Sequence, residues 1–294
     1  MRSPHRNADF HRRVGRSRTP QASTSIREEA LPTVAQSTDS LGRQRDELHQ
    51  QLFEAAQIQR KLSGPRSLRI GELECAREVF AARYLSGDFA VLYEFGNKLF
   101  AAVGDITGKG TPAGMWFTHL VGLIQRYLVA GADPSQIAAE VNAHLCSLRP
   151  LGPFVTMFLA QLDPASGEMT YCNAGHFPPV LLPSRNKFST LECGGPLLGA
   201  LPETAYELGQ HSLKPGDTLV AYSDGVIECR NDKDEEFGTE RLISEASRLT
   251  HESAQMTLLT LLGAVQDFTA GQPVCDDMSL MVIRRTAASY VAVA

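Results

Sequence analysis

The sequence predicts a layered α/β sandwich of the α+β kind, in which largely antiparallel strands are covered by helices that come in pairs. From residue 65 onward, short apolar runs bounded by Gly, Asp or Pro alternate with longer stretches of helical periodicity. Turn signals join consecutive runs: Gly-Asn at 96–97, Pro-Ala-Ser-Gly at 164–167 and Pro-Gly at 215–216. Strands joined by so few residues must be antiparallel, which excludes a doubly wound parallel sheet. Internal repeats are not evident.

Residues 1–37 are polar, basic and rich in Ser, Thr and Pro. They hold too little apolar surface to offset the entropy of ordering, so a disordered basic tail is expected, solvated rather than bound to nucleic acid. Residues 38–63 form a helical linker, with the helix running from about Asp39 to Leu62. The segment lacks Pro and is built from good helix formers. Leu41, Leu48, Ala55 and Leu62 repeat every seven residues, with Arg45, Leu52 and Gln59 at a weaker second seam position. About three heptads suit a helical hairpin or a two-stranded coil, and the alternative is a helix lying on its own domain. Gly64-Pro65 ends it. A single domain over 64–286 follows, and 287–294 form a C-terminal tail. Within the domain, strand runs fall at 89–93, 99–103, 154–162, 169–172, 179–182, 217–222 and 279–283. Helical patterns fall at 112–130, 134–147, 239–249 and 252–269.

The composition, 43% apolar and 21% charged, is that of an ordinary soluble globular protein. The net charge of −5 is unevenly spread. Residues 1–60 carry ten Lys/Arg against seven Asp/Glu, a net of +3 that leaves −8 on the remainder. This balance argues against a dedicated nucleic-acid binder and puts the acidic excess where divalent cations would bind. Cys75, Cys146, Cys172, Cys193, Cys229 and Cys275 contain no CxxC pair. They suit neither a zinc site nor a dense disulfide framework, so a reducing, cytoplasmic compartment is expected. The longest apolar stretch, 115–130, is interrupted by His119, Gln125 and Arg126, and no membrane span is expected. The Arg-rich N-terminus lacks the apolar core of a secretory signal.

Four aspartate sites sit at strand edges: Ser86-Gly87-Asp88, Gly104-Asp105-Ile106-Thr107-Gly108-Lys109-Gly110, Ser223-Asp224-Gly225 and Asp276-Asp277. Taken singly, each is ordinary turn chemistry. Taken together, they supply what a binuclear site for hard cations needs, namely carboxylates from separate segments. Two carboxylates ~4 Å apart repel by about 4 kcal/mol at an effective dielectric near 20. Cations remove that cost and generate a hydroxide nucleophile near neutral pH. The residues alone leave open whether the four sites meet. A P-loop reading of GDITGKGTPAG, which would make the chain a nucleotide-dependent switch, fails on spacing. Only three residues separate Gly104 from Gly108, and Gly110 stands where Ser or Thr is required. Gly108 and Gly110 instead let the backbone turn tightly.

Six segments occur in order: GDITGKG at 104–110, GPFVTMFLAQLDPASGEMTYCNAGHFPPVLL at 152–182, GGPLLGALP at 194–202, LKPGDTLVAYSDGVIE at 213–228, EFGTERL at 236–242 and DDMSLMVIR at 276–284. Together they resemble the SpoIIE/RsbU-type branch of the PPM (protein phosphatase 2C-like) family, over about residues 54–285 and beginning at EAAQIQRKL. The resemblance implies two packed antiparallel sheets flanked by helix pairs, an αββα sandwich with two Mn2+ or Mg2+ ions at one edge. It implies a serine/threonine phosphatase, in which a metal-bridging hydroxide attacks phosphoserine or phosphothreonine in line without a covalent enzyme intermediate. By motif, Asp105 bridges both metals and the Ile106 carbonyl completes the second site. Asp224 and Asp276 complete the first, and Asp88 acts through metal-bound water or binds the second metal directly. Asp277 supports these ligands. His176 donates a proton to the leaving group or serves as a structural hydrogen-bonding group. Lys109 and Arg83 are candidate phosphate contacts, with a solvated lysine as the alternative at Lys109. The implied substrate is a phosphorylated anti-sigma-factor antagonist or a similar partner-switching protein. A homodimer or regulatory partner is expected through the 39–62 helix, with neither nucleic acid nor membrane as a partner.

One segment departs from the family pattern. In Ala82-Arg83-Tyr84-Leu85-Ser86-Gly87-Asp88-Phe89-Ala90-Val91, the approach to Asp88 is shortened, Ser86 replaces a glycine, and Val91 stands where an acid is common. This departure motivates the alternative of a PPM-fold regulatory binding module with weak turnover or none.

Overall fold

Strand pairing in the computed structural model, which describes residues 34–184, 187–272 and 276–286, sorts the strands into two sheets. In the first the order is β1 (Ser67–Ile70), β2 (Leu73–Phe80), β12 (Met278–Arg285), β11 (Thr218–Tyr222), β7 (Val180–Leu182) and β8 (Ser189–Thr190). In the second it is β10 (Gly209–Ser212), β6 (Glu168–Ala174), β5 (Val155–Leu162), β4 (Lys98–Ile106) and β3 (Asp88–Phe95), with β9 (Gly194–Gly195) beside β6. Only the short β6–β9 pair is parallel among the described strands. The expected antiparallel architecture is therefore what forms.

The two-residue period of the strands builds the layers. On β3 and β4, Ala90, Leu92, Ala101 and Val103 face the other sheet, and with Leu219, Ala221, Met281 and Ile283 they fill the space between sheets. Their neighbours Phe89, Val91, Phe100 and Ala102 point the opposite way, onto α2 (Thr111–Val129) and α3 (Pro134–Ser147). On the far side, Val220, Tyr222, Leu280 and Val282 pack against α4 (Asp224–Ile227), α5 (Thr239–Ser247) and α6 (Ala254–Phe268). Helix α3 starts sharply because Asp133 and Gln136 form a reciprocal capping box and Pro134 occupies the first turn.

The chain divides into two units, 1–46 and 47–294. Helix α1 (Val34–Leu62) begins about five residues before the expected start near Asp39, so residues 34–37 are helical and not part of a disordered tail. The nearest breaker upstream is Pro32, and nothing between it and Gly64-Pro65 stops a helix. The remainder of the expected tail, 1–33, lies outside the described residues, as do residues 287–294 and Cys275. In the second unit the end of α1 is tied to the β3 edge. Gln59 donates from Nε2 to the Ser86 carbonyl at 2.7 Å and accepts from the Ser86 N–H at 3.2 Å. The Leu92 N–H donates to the Ser63 carbonyl, and the Tyr93 hydroxyl donates to the Leu62 carbonyl.

Two features of the strands differ from the sequence expectation. The β1–β2 hairpin was not anticipated, because Glu74, Arg77 and Glu78 break the apolar run of β2. Arg77 is nevertheless buried, its guanidinium donating to the Pro65 and Gly64 carbonyls. Pro215-Gly216 joins β10 to β11, which lie in different sheets, so it closes a crossover instead of a hairpin. Asp217 fixes that turn by accepting from the Lys214 and Ser184 N–H groups.

Candidate metal centre

Antiparallel pairing brings the aspartate motifs to one edge. Asp88 opens β3 and Asp105 lies one residue from the end of β4, directly across the ladder from it. In the other sheet Asp224 follows β11, and Asp276-Asp277 precede β12, whose Leu280 pairs with Tyr222. A strand end and its antiparallel neighbour's start are always adjacent, so each sheet delivers its two acids together.

Asp277 joins the two edges. Its buried carboxylate accepts from the Ala82 N–H at 2.7 Å and the Gly87 N–H at 2.8 Å. Asp277 thereby fastens the shortened 82–88 segment of one sheet to the β12 edge of the other. Ser223, fully buried, lowers the Asp88 carboxyl against the effect of its burial and accepts from the Ser279 N–H at 2.9 Å. Gly225 has no room for a side chain, since a Cβ there would collide with the Asp277 carbonyl. Gly87 lies against oxygen on several sides: a Cβ would meet the Ile106 carbonyl at 2.7 Å, the Gly108 carbonyl at 2.9 Å and Asp105 Oδ1 at 3.3 Å.

The electrostatics report the same convergence. Burial, then repulsion from Asp224, Asp276 and Asp277, raises the Asp105 carboxyl from 3.8 to about 6, against a smaller opposing effect of Lys109. Asp88 rises well above its ordinary value, chiefly through burial, with Asp105, Asp224 and Asp277 adding to it. Its Oδ2 is buried with no hydrogen-bond partner. Lys109 reaches across to Asp276 at 2.7 Å, and that contact raises the lysine above its usual value.

Among the described residues, no three His, Cys, Asp or Glu side chains already stand in ligating array. Lys109 occupies Asp276, and the Asp277 oxygens are taken by backbone N–H groups. The donors that remain fit hard divalent cations: Asp105 and Asp224 carboxylates, the Ile106 carbonyl, and the partnerless Asp88 oxygen beneath them. An all-oxygen set that repels itself is a set that a cation stabilises.

The other sequence candidates fall around this edge. The Arg83 stem runs over Gly110, whose Cβ would lie 3.8 Å from Arg83 Cδ. His176 is buried, with ring Nδ1 3.0 Å from Thr156 Oγ1 and the His176 backbone N–H donating to Asn173 Oδ1. Thr156 is the cross-strand partner of Asp105, so His176 braces the strand beside the cluster. Burial pushes the His176 imidazole down to about 4. Sequence reasoning missed Ser223, Thr156 and Gln59 as supports of the site. All three stood inside quoted segments, but their supporting roles show only through the contacts that folding brings together. A cleft of about 510 Å³ adjoins the cluster, with Gly225 and Asp276 in its wall and Phe80, Leu262, Val265 and Met278 lining it.

Two antiparallel sheets between helix layers, with an acidic cluster where their edges meet, define a protein of the PP2C-type fold. A family model, "Stage II sporulation protein E (SpoIIE)", matches residues 96–286, and the chain belongs to that family. It is 28% identical over 242 residues to the phosphoserine phosphatase RsbU of Bacillus subtilis, covering 81% of this chain and 71% of that one. Two solved structures share the fold. The SiaA-PP2C domain of Pseudomonas aeruginosa has a TM-score of 0.69 at 17% identity, covering 82% of this chain and 98% of that one. The RsbU and RsbW domains of Rv1364c from Mycobacterium tuberculosis give 0.64 at 24% identity, covering 74% of this chain and 62% of that one.

Proposed function

We propose that this chain is a metal-dependent protein serine/threonine phosphatase, acting on a phosphoserine or phosphothreonine of an anti-sigma-factor antagonist or a similar partner-switching protein. The observation that carries it is the delivery of Asp105, Asp224 and Asp276 to one edge by strand pairing, where burial and then their mutual repulsion lift Asp105 to about 6. Membership of the SpoIIE family and the phosphoserine phosphatase activity named for RsbU support the same reading.

Asp88, Asp105, the Ile106 carbonyl, Asp224 and Asp276 would hold two Mn2+ or Mg2+ ions. Bound there, the ions supply charge neutralisation for the phosphoryl oxygens and lower the pKa of water to make a nucleophile at neutral pH. The chain's own part is preorganisation. Asp277 and Ser223 hold the Asp88 segment in place, and Gly87 and Gly225 allow backbone to approach closely. Lys109, which pairs with Asp276, would be the side chain to meet a phosphoryl oxygen, and Arg83, whose stem runs over Gly110, would be a second contact. His176 serves as a neutral brace through Thr156.

The test is hydrolysis of a phosphoserine peptide by purified chain in Mn2+ and in EDTA. Turnover that needs Mn2+ and disappears in Asp105→Ala is the expected result, and metal-independent turnover would refute it. A second reading, a regulatory binding module without turnover, is favoured by the burial of Asp88 beneath the cluster. A folded chain that binds phosphoprotein yet never hydrolyses it would establish that reading.

Among the described residues no helix is long and apolar enough to cross a membrane. We further propose a cytoplasmic location, a reading that rests on cysteines with no CxxC pair and no dense disulfide framework. We assign pairing with a second copy or a regulator to the α1 seam, where Leu41 and Leu48, one heptad apart, are exposed. Sedimentation of Leu48→Glu against wild type checks this, and identical mass and activity would dispose of it.

A further inference from the structure

Helix α2 carries an exposed histidine and α3 a half-buried one, and the two imidazoles meet. His119 Nε2 lies 2.8 Å from His144 Nε2, with ring centroids 4.9 Å apart. The Trp116 ring stands edge-on to His119 at 5.9 Å on the same helix face. We propose that His119 and His144 form a second metal site, for a borderline transition-metal ion such as Zn2+, Ni2+ or Cu2+, outside the acidic cluster.

Chemistry separates the two sites. Oxygen donors select hard cations, whereas paired imidazoles select borderline ions and hold Mg2+ poorly. The positions are also separate along the fold: His119 is eight residues past the start of α2, a rise of about 12 Å. As they stand, the rings share a single hydrogen bond at the surface, a contact of small net value in water. Moving the shared proton from Nε2 to Nδ1 of the donating ring frees both Nε2 lone pairs for one ion and exchanges that hydrogen bond for two coordinate bonds. Burial and the neighbouring ring lower the His119 pKa, which keeps the ring neutral and able to ligate. No third His, Cys, Asp or Glu among the described residues completes the set, so water fills the remaining positions. An ion there would clamp α2 to α3, the two helices that cover the sheet carrying Asp105. Thermal stability should then rise with transition metal present.

The experiment uses the full chain saturated with Mg2+, to fill the acidic cluster, and adds one equivalent of Cu2+. Electron paramagnetic resonance of the wild type should show coupling to two imidazole nitrogens. His119→Ala and His144→Ala, both surface changes, should each lose that pattern. Each should also weaken Cu2+ binding by roughly ten- to a hundredfold, the range produced by removing even a supporting residue of a metal site. Melting curves without transition metal check that both variants remain folded, and the stabilisation by Zn2+ seen in the wild type should vanish in them. A nitrogen pattern and affinity unchanged in either variant would overturn the site, as would an oxygen-only signal in the wild type.

Discussion

Asp105 has a measurable consequence in the metal-free protein. Its carboxyl is raised from 3.8 to about 6 in the folded state, so it costs nothing below 3.8, where it is protonated both folded and unfolded. As pH climbs between these values the unfolded chain ionises first, and folding loses up to about 3 kcal/mol at about 1.4 kcal/mol per pH unit. Asp105→Asn should therefore melt above wild type in EDTA at neutral pH, with the gain shrinking toward 3.8. In Mn2+ the order should reverse, because only the wild type gains from the ion. Thermal melts across pH, with and without Mn2+, check both statements. Gly225→Ala should cost about 1–3 kcal/mol by overpacking, since its Cβ would strike the Asp277 carbonyl. Denaturant unfolding measures it, and an unchanged midpoint would contradict the close approach. The aspartates were legible as candidates because each sits at a strand edge, Asp88, Asp105 and Asp224 beside glycine and Asp276 in an Asp-Asp pair. Ser223 and Thr156 were not legible as supports, because a buried hydroxyl reads like any polar strand residue until its cross-strand partner is known.

At the scale of elements, Asp277 ties the 82–88 segment to the start of β12 through two backbone hydrogen bonds. Removing both acceptors in Asp277→Ala should cost at least about 2 kcal/mol, because two N–H groups lose a charged partner. It should also weaken Mn2+ binding, although neither Asp277 oxygen is free to ligate. Asp277→Asn, which keeps one acceptor oxygen, should recover part of both losses. Calorimetry on the pair decides: wild-type affinity in Asp277→Ala would show that the tie does not position Asp88. The strongly periodic elements, α2, α3, β4 and β5, were readable because their apolar positions recur at a single period over long runs. Strand β2 was not, since Arg77 is satisfied by carbonyls at the end of α1 that no local pattern reveals. Nor was the destination of the Pro215-Gly216 turn, because a tight turn fixes direction and leaves the choice of sheet to packing.

For the whole molecule, the αββα arrangement explains why the acidic cluster lies at an edge and not in a core. Both sheet interiors are sealed by apolar side chains, and only where strands end can carboxylates from both sheets share solvent and an ion. That two sheets would pack face to face was supplied by the resemblance of six ordered motifs; strand runs and turns alone specified only antiparallel pairing. The central claim is that this edge holds divalent cations through Asp105. It is tested most directly by calorimetric titration of Mn2+ into metal-free wild type and Asp105→Asn at neutral pH. A pair of ions binding the wild type, with that binding lost in Asp105→Asn, is the predicted result. Equal stoichiometry and affinity in the two proteins would contradict it.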